Sequence, residues 1–221
     1  MPKDLEFLST NDTSLRNKVF QHIKAQIIEG AYSPGDILLE TKLADELGVS
    51  RTPIREAIWL LEVEGLVETT AKKGAIVLGI SAKDVADICA MRQLLEGLAA
   101  RWATSRLTEN ELKELQKIVD LTEFYAQKQN MEEIAELDNK FHQLIYEASG
   151  SKMLNLTLSN LHKYIKPARL NSIAVENRLS QTITEHITLM DAFYKRDPDA
   201  AEKAMTYHVS MAHRNITSLH H

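Results

Sequence analysis

Apolar residues in this chain recur at helical spacing almost throughout, and the pattern breaks in one short stretch. From Leu15 the period runs through Val19, Ile23 and Ile27. Over 66–80, LVETTAKKGAIVLGI, it yields to two β-prone runs, LVETTA (66–71) and AIVLGI (75–80), joined by a KKG turn (72–74). Two such runs around a glycine-containing turn read as a hairpin. Aromatics at 6%, with 8 Gly and 5 Pro, also lean toward helix. The expected class is mainly α, with one small β-hairpin.

What precedes the hairpin has its own order. Residues 1–13 are polar and aperiodic and read as a mobile tail. A helix from Leu15 stops at Gly30, and Ser33-Pro34-Gly35-Asp36 is a turn. A short helix carries Leu43, Ala44 and Leu47 and stops at Gly48. Ser50 or Thr52 can cap the next helix, where Pro53 is tolerated in the first turn; it ends near Glu64-Gly65. Helix, helix, tight turn, helix, hairpin is the outline of a winged helix-turn-helix over 14–80.

Beyond Gly79 the texture changes. Val85, Ile88, Met91, Leu95 and Leu98 mark a long helix, and Thr108-x-x-Glu111 is a capping box for a second. Four more are predicted: 131–148, 152 to 165 with a stop before Pro167, 176–194, and Asp197-Pro198 to about Ile216. Residues 81–219 thus read as an all-α six-helix bundle. His220-His221 are set aside as an expression scar.

Composition excludes several classes. No apolar run reaches the ~20 residues that span a bilayer, so no membrane partner is expected. The first residues lack a signal peptide's basic-then-apolar pattern, and Cys89 is the only cysteine. A cytoplasmic protein is expected. The net charge of -5 does not advertise nucleic-acid binding, and Leu15 to Ile80 holds eight Lys/Arg against nine Asp/Glu. Any DNA argument rests on where the positive charges sit.

They sit pointedly in GVSRTPIREAIWLLEVEGLV (48–67). On a helix, residues four apart share a face. Arg51, Arg55 and Trp59 line one side; Ile54, Ala57, Ile58 and Leu61 line another. The apolar side can pack on the preceding helices while the arginines enter a major groove, where arginine meets guanine O6 and N7 bidentately. The helix N-terminus offers N–H groups to phosphate. Lys72 and Lys73, at the hairpin tip, can reach backbone or minor groove.

These residues resemble the winged helix-turn-helix of GntR-family transcription regulators. Pro34-Gly35, Leu43-Ala44, SRTPIREA (50–57), Glu64-Gly65-Leu66 and Gly74 carry the resemblance over about 15–80. It implies that Ser50, Arg51, Thr52 and Arg55 read DNA and that Gly74 shapes the wing. Thr41 departs from it, standing where some relatives carry a DNA-contacting arginine. Trp59 is bulkier than the usual aliphatic and reads as packing rather than base stacking.

The second constellation lies in the helical region. Asp138 and His142 are four apart on one helix, and His186 and His208 sit mid-helix on two others. One carboxylate and three imidazoles from three helices can surround a divalent transition metal: Zn, Ni, Mn or Fe. Spacing alone leaves their convergence open. His22, His162 and His213 read as structural or surface. Arg92 with Glu96 at i+4 reads as a surface ion pair.

RQLLEGLAAR (92–101), DNKFHQLIYEASGS (138–151), EHITLMDAF (185–193) and DPDAAEKAMTYHV (197–209) resemble the FCD effector domain of the FadR subfamily; six helices look closer to its VanR-type branch. The resemblance implies that Asp138, His142, His186 and His208 ligate metal. It also implies a buried Arg92 facing a pocket for a small carboxylic acid, with Glu96, Arg169 and Asn171 as further candidates. Ser151 departs from it, where relatives often carry Asn. The implied protein is a homodimeric repressor of a short palindromic double-stranded DNA operator, relieved by a small organic acid, and not an enzyme. Two rivals stand beside it: a sensor whose signal is the metal itself, and a metalloenzyme built on the bundle.

Overall fold

In the computed structural model, which describes residues 15–70, 74–173, 175 and 177–218, the expected hairpin gains a third strand. The tail predicted over 1–13 and the turn lysines Lys72 and Lys73 lie outside the described residues. The chain divides into two units between Ser81 and Ala82.

The first unit runs α1 (Leu15–Ile28), β1 (Ile37–Leu38), α2 (Glu40–Leu47), α3 (Arg51–Val63), β2 (Val67–Thr70) and β3 (Gly74–Val77). β2 pairs with β3 antiparallel, Val67 opposite Val77 and Thr70 opposite Gly74. β1 joins the other edge of β3, Ile37 opposite Ile76, giving the order β1-β3-β2. Sequence patterning missed β1 because two residues show no period. The Ser33–Asp36 turn creates it: Gly35 N–H donates to Val77 O, and Val77 N–H to Asp36 O, both at 2.8 Å. Gly74 is needed there. Its φ is +88°, and a Cβ would lie 2.7 Å from Leu38 O.

Val19 and Ile23 of α1, Ile54, Ala57 and Leu61 of α3, and Leu38, Leu66 and Val77 of the sheet region form the buried core of this unit. The apolar side of α3 is therefore spent inward, as its spacing predicted. Gly48 ends α2 in the left-handed conformation at φ +64°, its N–H donating to Ala44 O. That turn lets α3 begin three residues later. Ser50 occupies the N-cap position of α3 without a side-chain cap bond.

The second unit is all helical: α4 (Ala82–Thr104), α5 (Glu109–Gln127), α6 (Met131–Ala148), α7 (Lys152–Tyr164), α8 (Lys166–Ile173), α9 (Arg178–Tyr194) and α10 (Pro198–Ser218). The expected six helices become seven among the described residues. The added one is α8. Pro167 was read as a stop, yet proline fits the first turn of a helix, and α8 starts one residue before it. With seven helices, the count that favoured the VanR-type branch no longer favours it. The capping box forms: Thr108 accepts from Glu111 N–H, and Glu111 accepts from Thr108 N–H. Ser151 caps α7, its hydroxyl accepting from Leu154 N–H at 3.3 Å. Phe141, Ile145, Leu189, Phe193, Met205 and Val209 share the main core. α4 and α10 pack tightly at Gly97, where a Cβ would meet Thr206 Oγ1 and lie 3.3 Å from Glu202 O. No helix among the described residues is long and apolar enough to cross a membrane.

Candidate nucleic-acid face and metal centre

α3 presents Arg51 and Arg55 on the side opposite its core residues, with side chains 59% and 67% exposed. Thr52 and Ser50 are exposed beside them. Trp59 is 59% exposed, so most of its surface stays outside the core of its unit. Gly74 sits at the start of β3.

In the helical unit, α6 supplies Asp138 and His142, α9 supplies His186 and α10 supplies His208. All four are buried, and one potential ligand atom from each lies within 4.8 Å of the other three. His142 Nε2 is 3.2 Å from His208 Nε2 and 3.7 Å from Asp138 Oδ1; His186 Nε2 is also 3.7 Å from that oxygen. Two like nitrogens this close repel unless something positive lies between them or a proton is shared. His186 Nε2 is buried with no hydrogen-bond partner. Leaving such an atom unsatisfied costs roughly 1–3 kcal/mol. A divalent cation accepts the lone pairs of all these atoms, so the donor set fits one. Burial holds His186 and His208 well below the ordinary histidine range, with neighbouring imidazoles adding to the effect. Both are therefore neutral near pH 7, the form that ligates metal.

Behind the ligands stand two buried carboxylates. Glu96 Oε2 accepts from His142 Nδ1 at 2.7 Å, and Glu185 Oε2 accepts from His208 Nδ1 at 2.7 Å. With Nδ1 engaged as donor, each Nε2 keeps its lone pair toward the cluster. Each carboxylate is backed by an arginine: Arg92 Nε meets Glu96 Oε1 at 2.6 Å, and Arg178 clasps Glu185 with two bonds of 2.8 Å. Burial alone would raise the Glu96 carboxyl, but Arg92 and His142 outweigh it and hold the group well below its usual value. Burial pushes Glu185 up, against the pull of Arg178.

Two family models match the chain: "Bacterial regulatory proteins, gntR family" over 15–77 and "FCD domain" over 87–211. The chain belongs to the GntR family, with an FCD domain. It is 32% identical over 190 residues to the uncharacterized HTH-type transcriptional regulator YdhC of Bacillus subtilis (strain 168), covering 86% of this chain and 85% of that protein. It is 28% identical to the galactonate operon transcriptional repressor of Escherichia coli (strain K12), covering 88% and 93%. The fold matches the solved structure of E. coli McbR/YncC with a TM-score of 0.75 at 24% identity, over 95% of this chain and 100% of that one. The GntR-family chain is thus a DNA-binding transcription regulator. Its relatives are regulators rather than enzymes, which sets the metalloenzyme reading aside.

In this GntR-family regulator the effector candidates divide. Arg92 and Glu96 do form an ion pair, but a buried one, 2% and 0% exposed, and Glu96 faces His142. The surface-pair reading of Arg92 is corrected: its side chain is inside. Arg169 on α8 is buried against Asp138, Asn139 and His162. Burial lowers its guanidinium to about 9, still charged at neutral pH. Asn171 is exposed on α8 and shares none of these contacts. His162 is buried and bonded to Tyr146 and Asn139, so its surface reading fails. Arg178 and Glu185 went unnoticed in the sequence. Their spacing of seven puts them on one helix face, a signal that was there to read. The partner of Glu185, His208, lies on another helix and leaves none.

Proposed function

We propose that this regulator is a homodimeric repressor whose helical unit takes up a divalent transition metal at Asp138, His142, His186 and His208, together with a small carboxylic acid. The reading is carried by one observation: three imidazoles and a carboxylate converge on a buried point, with His186 Nε2 unpartnered. When bound, such an ion supplies positive charge and open coordination positions to an anionic ligand. Arg169 supplies the directional part, since a planar guanidinium suits a carboxylate bidentately. A cavity of only about 10 Å³, lined by Asp138, Asn139, Lys166 and Arg169, adjoins the cluster. One of about 540 Å³ shares Asn139 and Lys166 with it. The acid's carboxylate enters as Arg169 swings off Asp138, and its remainder extends toward the larger space. The name of the galactonate operon repressor supports both repression and a sugar-acid class of signal.

Homodimerisation is supported by an apolar stripe. Met91, Leu94 and Trp102 of α4 are exposed, as are Met153 and Leu156 of α7. α4 and α7 pack together through Leu95, Leu98, Ala99, Leu154 and Leu158. A second copy covering this face would pair two α3 helices for a palindrome. Ser50, Arg51, Thr52 and Arg55 are the proposed base and phosphate contacts. Acid binding favours one geometry of the helical pair and DNA favours the other.

The test is a melting series against sugar acids and other small carboxylic acids, before and after chelation. One acid should raise the melting temperature, lose that effect on chelation, and regain it with metal. The same acid should weaken operator binding. Binding only to the folded state adds about 2.7 kcal/mol at a hundredfold excess over Kd. If no acid acts, but metal alone alters DNA affinity, the metal is the signal and the acid reading falls.

A further inference from the structure

The arginines of α3 do not stand alone. Glu40, the first residue of α2, accepts from Arg55 twice, Nε to Oε1 and Nη2 to Oε2, each at 3.1 Å. The same Oε2 accepts from Arg51 Nη2 at 3.1 Å. One carboxylate thus holds both side chains. A guanidinium has five N–H donors. Arg55 commits two of them, along its Nε edge, and keeps three, including both on Nη1. The terminal Nη1/Nη2 pair can still meet guanine O6 and N7 while the Nε edge stays on Glu40.

We propose that Glu40 is a positioning residue for base reading: it holds Arg55 and Arg51 with their unused donors presented for guanine, and it disfavours binding to phosphate alone. The proposal rests on Arg51 and Arg55 being the DNA readers.

Two physical effects point the same way. A long arginine side chain loses rotamer freedom when it docks on a base. Fixing it beforehand leaves less to lose. The second effect is charge. Two guanidiniums carry +2, and with Glu40 the group carries +1. Phosphate attraction scales with that charge, whereas hydrogen bonding to a neutral base edge depends on geometry. Glu40 therefore subtracts more from non-specific than from specific binding. The Arg55 hydrogen bond lowers the Glu40 carboxyl below its usual range, so the negative charge is present at neutral pH. Exposed ion pairs of this kind contribute little to stability. With side chains 59% and 67% exposed, the pairing is poorly explained as a fold element.

The experiment uses the full chain and duplexes it selects from a randomised double-stranded DNA library. Affinity is measured for a selected duplex and for its scrambled version, across a salt series. In Glu40→Gln, affinity for the selected duplex falls and affinity for the scrambled one rises. The ratio between them drops at least tenfold, guanine preference relaxes, and the salt slope on scrambled DNA steepens by about one. Glu40→Asp keeps the charge but shortens the reach. Its ratio falls too, while its salt slope on scrambled DNA stays at the wild-type value. A Glu40→Gln ratio within twofold of wild type overturns the proposal. So does a wild-type ratio in Glu40→Asp, because charge alone would then suffice. Arg55→Ala separates the two levels. If it leaves discrimination intact, the reading of Arg55 falls and takes the proposal with it. If it abolishes discrimination while Glu40→Gln does not, only the proposal falls.

Discussion

The two units use the same device in opposite surroundings. In the first unit a half-buried carboxylate at the start of α2, Glu40, grips two exposed arginines of α3. In the helical unit two buried carboxylates, Glu96 and Glu185, stand between an arginine and a histidine. At the surface, water screens the charges and a ligand can compete for the arginines. Inside, desolvation makes each charge depend on its partner, so the arrangement is fixed. An exposed pair can bias how a side chain meets a partner. A buried chain sets which nitrogen of a ring faces the cluster.

The comparison breaks most visibly on removal of a buried member. Glu96→Ala leaves Arg92 uncompensated at 2% exposure and should cost about 3–5 kcal/mol in urea unfolding. Glu40→Gln should cost no more than about 1 kcal/mol, a shift of at most a few degrees in the melting temperature. Comparable losses in both would mean that burial does not divide the two devices. Next comes Glu185→Gln, which keeps shape but loses the charge behind His208. Zinc affinity should fall roughly ten- to hundredfold with the helices intact by circular dichroism. An unchanged zinc titration would remove Glu185 from metal binding.

The smallest effect is on pH dependence. His162, His186 and His208 have folded values lowered mainly by burial, whereas the unfolded chain titrates near 6.5. The unfolded state therefore takes up protons first as pH falls. Stability of the metal-free helical unit is full above about 6.5 and declines as pH drops from there toward the lowered folded values. The first unit has no fully buried histidine among its described residues. Trp59 and Trp102 are the chain's 2 tryptophans, one per unit. Single-tryptophan variants should show Trp102 losing urea resistance between pH 7.5 and 5.5 while Trp59 changes little. Parallel losses would contradict the assignment to these imidazoles.

What was legible in the sequence was local or periodic. Ile54, Ala57, Ile58 and Leu61 turned inward because a period of 3.6 leaves them no other face. Thr108 and Glu111 are three apart, and their cap formed. Asp138 and His142 are four apart and meet at one point. What was hidden was tertiary or marginal. β1 has two residues and exists only because a turn lays it against β3. Pro167 has two meanings, a stop for one helix or the first turn of the next, and sequence does not choose. Arg92 and Glu96 were seen as a pair, but their burial follows from what packs over them. Glu40 lies 11 and 15 residues from the arginines it holds. No periodicity spans a helix and a turn.

The close approach of α4 and α10 at Gly97 has a consequence for synthesis. The first helix of the unit finds its main neighbour in the last, about a hundred residues later. A ribosome delivers residues in order, so α4 waits for α10, and His142 and His186 wait for His208. Every described helix and strand of the first unit lies within residues already made. The winged helix-turn-helix unit can therefore be complete while the helical unit is still open. The final stretch of translation, as α10 emerges, is the moment at which the four-residue cluster can first come together.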